Sequence, residues 1–189
     1  MLGSGQMLLA ALAMFLLGII ILSANSTLFD NEQTVRDSEF GVAAISLATS
    51  LVEEAQGKVF DEAASDSGVT TTAQLTLGTM LGPDPSEQYR TVDTSKHDFD
   101  DLDDFNGFSV EFVNDSTQPQ IATYRGNSRG FRADYLLRSK VEYVVAGGGF
   151  ADLDGSTLTQ TWHKKITVTV TSPSSKDTLV FPTVISYWN

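Results

Sequence analysis

Residues 7–24 read MLLAALAMFLLGIIILSA: 18 consecutive positions without a charge and with one hydroxyl, that of Ser23. A helix rises about 1.5 Å per residue, so this run spans ~27 Å, close to the ~30 Å hydrocarbon core of a bilayer. No proline separates it from the next helical segment. From Asp37 to Ala64 the apolar positions Phe40, Ala44, Leu47, Leu51, Ala55, Val59 and Ala63 recur at steps of three and four. That period puts them on one stripe of a helix. Glu39, Glu53, Glu54, Lys58, Asp61 and Glu62 fall largely outside it. The two segments together predict one helix of more than about 50 residues, on the order of 80 Å long. The alternative is two helices with a break between Asn25 and Asn31, where Asn25-Ser26-Thr27 is the weakest helical point.

The rest reads as β. Expected strands are Phe108–Val113, Gln120–Arg125, Phe131–Ala146, Leu158–Thr171 and Thr178–Tyr187. Lys165 to Thr171 (KITVTVT) alternates strictly, with Ile166, Val168 and Val170 on one face. Ser172-Pro173-Ser174-Ser175 is a turn sequence between two β-like runs and predicts a hairpin. Gly82-Pro83-Asp84-Pro85 is a turn, and Gly147-Gly148-Gly149 a bent loop. Between the helix and the first turn, Ala73 to Leu81 is compatible with a short strand or helix. The fold class expected is α+β: a long N-terminal helix, hydrophobic then amphipathic, packed on an antiparallel β head. The divisions are a leader-like stretch over 1–6, the hydrophobic helix over 7–24, its amphipathic continuation over 25–64 and the head over 65–189.

Composition excludes several functions. The 189 residues carry a net charge of −12, a poor match to nucleic acid, whose phosphates need Lys and Arg. There is no cysteine, which removes disulfides, thiolate metal sites and cysteine nucleophiles together. The two histidines, His97 and His163, are far apart. No G-x-S-x-G occurs, and Gly147-Gly148-Gly149 lacks the Lys and helix that cradle phosphate. No enzyme activity is expected. A cleaved signal peptide is disfavoured, because Met1–Gln6 has no Lys or Arg and the apolar run exceeds a usual h-region.

Asp98, Asp100, Asp101, Asp103 and Asp104 place five carboxylates in seven residues. Such density self-repels unless a cation offsets it, and calcium takes six to eight oxygens. The spacing is not that of an EF-hand. Three readings stand: bound calcium, a solvated acidic loop, or pairing with a neighbouring charge. Phe99, Leu102, Phe105 and Phe108 recur at three-residue steps and are expected to pin the loop to the core. Arg125, Arg129, Arg132, Arg138 and Lys140 form a basic stretch: either a dock for that acidic loop or the outer face of a strand pair. Asn114 heads an N-x-S/T triplet in a turn and is a glycosylation candidate. Trp162, Tyr187 and Trp188 are read as core or contact aromatics before glycan binders.

The layout, together with Asp98 to Gly107 (DFDDLDDFNG), resembles type IV pilin-like proteins, including mannose-sensitive haemagglutinin-type pilins and minor pseudopilins. The specific part covers about ten residues and the N-terminus. The resemblance implies a structural subunit of an extracellular pilus-like filament at the cell surface. Such a subunit is held in the inner membrane before assembly and handled by pilus or secretion assembly machinery. The alternatives are a minor pseudopilin of a secretion system and a membrane-anchored binding module that does not polymerise. The resemblance also implies processing after Gly5, leaving Gln6 first. This chain departs from the family in its leader without basic residues and in Ala10, which stands where the family places a glutamate. Physical reasoning agrees with self-association: outside lipid, Met7, Leu8, Leu9, Leu12, Phe15, Leu16, Ile19, Ile20 and Leu22 must be covered, at roughly 1.5–3 kcal/mol each. A head-to-tail contact between copies that does not close gives a helical filament with the heads outside.

Overall fold

The computed structural model describes residues 3–90, 94–113, 125–127, 134–145, 155–173 and 175–187. It divides into two units, Met1–Gly41 and Val42–Asn189.

The helix α1 runs from Ser4 to Gln56, 53 residues without interruption. Asn25-Ser26-Thr27 does not break it. The Ser26 and Thr27 hydroxyls donate back to the carbonyl of Ser23, at 2.9 and 3.0 Å, so these side chains satisfy themselves within the helix. In the first unit the large apolar side chains from Met7 to Val35 are all exposed.

In the second unit α1 has a buried stripe, Ala44, Leu47, Ala48, Leu51, Val52 and Ala55. The helix ends at Gln56, eight residues short of the expected Ala64. Gly57 donates its N–H to both Glu53 and Glu54, at 3.1 and 3.2 Å. The chain then leaves the helical path, and Val59 forms a parallel bridge with Asp101. Asp61 starts a new helix, α2 (Glu62–Ser67), as its N-cap, accepting from Ala63 N–H at 3.2 Å. A carboxylate at that position satisfies a donor the first turn cannot. Val59 and Ala63 continue the three-four period in sequence only. In place of a short strand or helix between Ala73 and Leu81 there is one 3₁₀ turn, Thr72–Gln74, and then irregular chain.

The sheet contains β1 (Ser109–Val113), β2 (Arg125–Asn127), β3 (Tyr135–Val144), β4 (Ser156–Thr157), β5 (His163–Thr171) and β6 (Leu179–Ser186). Its order is β2-β1-β3-β5-β6, with β4 on β3. The pairs are antiparallel, with one correction to the expected head: β2 runs parallel to β1. β5 and β6 form the expected hairpin, with Val170 opposite Leu179. On β3 the period of two buries Tyr135, Leu137, Ser139, Val141 and Tyr143. On β5 the same period buries Lys164, Ile166, Val168 and Val170, and Lys165, on the other phase, is buried as well. Arg138 and Lys140 are on the outer side of β3, where Lys140 pairs with Glu142 at 2.8 Å.

The irregular segment before the acidic motif is held by a close approach. A Cβ on Gly78 would sit 2.6 Å from the carbonyl oxygen of Leu158 and 2.8 Å from its Cα. Backbone cannot yield as a side-chain tip can, so Gly78→Ala should cost about 1–3 kcal/mol, the usual range for forced overpacking. Chemical denaturation checks this, with Gly41→Ala, where the added Cβ meets open space, as the comparison.

Candidate functional site

Two features stand apart from ordinary core packing: the uncovered apolar helix and a charge cluster inside the head.

The helix from Ser4 to Phe29 is long and apolar enough to cross a membrane, and none of it is buried. The nine expected contact residues, Met7, Leu8, Leu9, Leu12, Phe15, Leu16, Ile19, Ile20 and Leu22, are each between 48% and 71% exposed. Gly5 and Gln6 lie in the first turn of α1. Gln6 closes that turn, its Oε1 accepting from Gly3 N–H at 3.3 Å.

The acidic motif is laid down on the head by its own backbone and aromatics. Val59 N–H donates to Asp100 C=O at 3.2 Å, and Leu102 N–H to Val59 C=O at 2.9 Å. Asn106 Oδ1 accepts from Val141 N–H at 3.0 Å, and its Nδ2 donates to Leu81 C=O at 2.8 Å. Ser139 Oγ donates to Phe105 C=O at 2.6 Å. Phe99, Leu102 and Phe105 are buried, as their spacing predicts, and Phe108 is half-buried. These phenylalanines cluster with Tyr89, which lies 4.4 Å from the Phe108 ring.

The five aspartates do different jobs. Asp101, Asp103 and Asp104 are buried, whereas Asp98 and Asp100 are exposed. Asp101 Oδ1 accepts from the N–H groups of Asp103 and Asp104, at 2.7 and 3.2 Å, heading the 3₁₀ turn Asp103–Phe105. Asp104 Oδ2 accepts from the N–H groups of Asp100 and Asp101, at 2.9 and 3.1 Å. The set therefore does not converge on one ion. Asp100 instead joins Glu62 and Glu87, whose carboxylate oxygens lie within 4.8 Å of each other and of its own. That is the trio among the described residues with the oxygen spacing a divalent cation requires.

Asp103 meets a fully buried cation, Lys164. Lys164 Nζ donates to Asp103 Oδ1, to Asp61 Oδ2 at 2.8 Å and to the carbonyl of Phe60 at 2.8 Å. The Lys164 and Asp61 side chains have no solvent exposure at all. The ammonium lies 4.5 Å from the Phe60 ring centroid and 5.1 Å from that of Tyr143. Asp61 accepts further from Thr76 N–H, Thr76 Oγ1 and the Tyr143 hydroxyl. Asp103 Oδ2, by contrast, is buried with no hydrogen-bond partner.

Neither Lys164 nor Asp61 is marked by the sequence as a partner of the acidic motif. A signal for Lys164 does exist: the alternation of β5 extends one step back, putting Lys164 on the face of Ile166, Val168 and Val170. Charge pairing is thus realised, but with Lys164. The basic stretch plays no part in it at Arg138 or Lys140; Arg129 and Arg132 lie outside the described residues, as do Asn114, Trp188 and Gly147-Gly148-Gly149. Tyr187 stacks on Trp162 at 5.5 Å and packs on Phe60 at 5.6 Å, a contact role.

Electrostatics splits the carboxyls. Burial alone would raise Asp61, but the Lys164 charge and the donors on Asp61 hold it below the usual carboxylate value. Burial foremost, with the charges of Asp101 and Asp61 added, pushes Asp103 up to about 7 against the attraction of Lys164. Burial, then Asp101 and Glu87, push Asp104 up to about 8. A carboxyl raised on folding stabilises below its unfolded value and loses that contribution as pH rises through the folded one; a lowered carboxyl does the reverse. The melting temperature should therefore fall as pH rises from about 4 to about 8. It should fall again on the acid side, below the ordinary carboxylate value of 3.8 for Asp61. Scanning calorimetry across about pH 3–9 checks both limbs.

Comparisons with known proteins found no matching family model, no matching curated protein and no matching solved structure.

Proposed function

We propose that this chain is a structural subunit of an extracellular type IV pilus-like filament, polymerising through its N-terminal helix with the β heads outside. One observation carries the reading: the whole apolar surface of Ser4–Phe29 is uncovered within its own chain. A bilayer covers such a surface for one membrane-resident molecule; neighbouring copies cover it in a polymer. Exposed apolar side chains also continue beyond what a membrane needs. Met14, Ile21, Leu28 and Val35 fall at seven-residue steps along α1 and are all exposed. From Met7 to Val35 is about 42 Å of helix, against a hydrocarbon core of ~30 Å. A seven-residue apolar repeat is the pattern by which helices pack side by side. Ala10, with no charge to pair, leaves the register of such packing to apolar fit and to the heads.

Electron microscopy of material sheared from cells producing the chain tests this. The expected result is filaments in which this chain is the main component by mass spectrometry. A short periplasmic fibre in which it is a minor component supports the pseudopilin reading instead. A chain recovered from membranes in detergent only as a monomer counts against polymerisation and favours a membrane-anchored binding module.

A further inference from the structure

Lys164, Asp103 and Asp61 form a buried constellation whose parts are not equivalent. One amine stands between two carboxyls, and water is excluded by the Phe60 and Tyr143 rings. Asp61 is held by donors on both oxygens: Ala63 N–H, Thr76 N–H and Thr76 Oγ1 on Oδ1, and Lys164 Nζ, Thr76 N–H and the Tyr143 hydroxyl on Oδ2. Those bonds favour the ionised form, so Asp61 stands beside the ammonium as a carboxylate with no proton of its own. Asp103 shares Oδ1 with Lys164 and leaves Oδ2 with nothing to hold it. A buried acceptor left without a donor costs free energy, and losing that oxygen removes the cost.

We propose that Lys164 and Asp103 condense in the folded head to an intramolecular isopeptide bond, with Asp61 as the proton-transfer group. The ammonium of Lys164 gives one proton to the Asp61 carboxylate. The freed lone pair on Nζ forms the Nζ–Cγ bond with the neutral carboxyl of Asp103, its C=O π pair moving onto that oxygen and returning when the other C–O bond breaks. Asp61 returns its proton to the Asp103 hydroxyl. The Cγ–O bond breaks with its electron pair on the oxygen, which leaves as water. The amide nitrogen sheds its surplus proton to Asp61. Lysine ammonium, aspartic acid and Asp61 carboxylate thus become amide, water and Asp61 carboxylic acid, with no oxidant or co-reactant. Contact geometry supplies the proximity that makes an intramolecular condensation fast. The raised proton affinity of Asp103 supplies the neutral electrophile. The product removes two charges from a site where each is costly. Once the bond forms, Asp103 drops out of the pH response described above, and Asp104, Asp101 and Glu62 remain in it.

Bond formation does not depend on filament formation, and intact mass spectrometry of the full chain, purified in detergent, tests it. The expected mass is that of the sequence less one water. Trypsin should leave residues 97–125 joined to residues 141–165, because an acylated Lys164 is not cleaved. Lys164→Arg and Asp61→Asn should each restore the full mass. Asp103→Asn should still cross-link, now with loss of one ammonia, an outcome a merely structural role for Asp103 does not give. A wild-type chain of full mass, cleaved after Lys164 once denatured, overturns the proposal. So does a water loss that maps elsewhere in the chain. The wild-type measurement is decisive even if a variant fails to fold.

Discussion

Replacing Lys164 with methionine lowers the stability of the head by about 3–5 kcal/mol, because Asp61 and Asp103 are left buried without their partner. For a unit of this size each kcal/mol moves the melting temperature by roughly 2–4 °C, so the fall is roughly 6–20 °C. The methionine fits the space and keeps contact with the Phe60 and Tyr143 rings. What it cannot do is donate to Phe60 C=O, Asp61 and Asp103. Lys140→Met is the proper comparison. Its partner Glu142 is at a similar distance, but the Lys140 side chain is 65% exposed, and exposed pairs contribute about 0–1 kcal/mol. Adding Asp103→Asn to Lys164→Met should recover part of the loss, because one of the stranded carboxyls is then neutral; the two changes share a contact and will not add. Equal melting temperatures for Lys164→Met and Lys140→Met would show that Lys164 does not hold the head together.

The second large effect concerns the other end of the chain. Removing residues 1–24 should convert a protein that needs detergent into a soluble, folded monomer. The exposed surface lost includes Met7, Leu9, Phe15, Ile19 and Leu22, each worth roughly 1.5–3 kcal/mol when covered. The buried stripe from Ala44 to Ala55 and the whole sheet are untouched. Sedimentation velocity without detergent and far-ultraviolet circular dichroism read the two halves of the expectation. A truncated chain that still aggregates, with its sheet signal intact, would place the associating surface on the head.

These two ends of the molecule are unequally visible in the sequence. Periodicity exposes the helix, its buried stripe and the strands β1, β3, β5 and β6, because each is a local repeat of side-chain type, although the strand expected from Leu158 begins only at His163. The end of α1 escapes it: Val59 and Ala63 keep the helical spacing while Gly57 and the capping Asp61 redirect the backbone. The density of the acidic motif signals a need for positive charge. The source of that charge is not legible, because Lys164 comes from a strand 61 residues further on. Beside Lys165, it looks like half of an exposed basic pair. The inward phase of β5, set by Ile166, Val168 and Val170, picks out Lys164, although Lys165 is buried too. The parallel pairing of β2 with β1 has the same character: it is a property of three-dimensional neighbours, with no local pattern to announce it.

The long sequence distance between Asp103 and Lys164 also sets an order of events during synthesis. At about 5–20 residues per second, the interval between making one and the other is about 3–12 s. Throughout it Asp61 and Asp103 have no ammonium to meet, and burying either would be unfavourable. The apolar helix, made first, needs no such partner and can enter a membrane at once. Commitment of the head to its final packing thus waits for the ribosome to pass β5. A chain stopped short of that strand would keep its aspartates hydrated and its motif undocked, and so open to proteolysis.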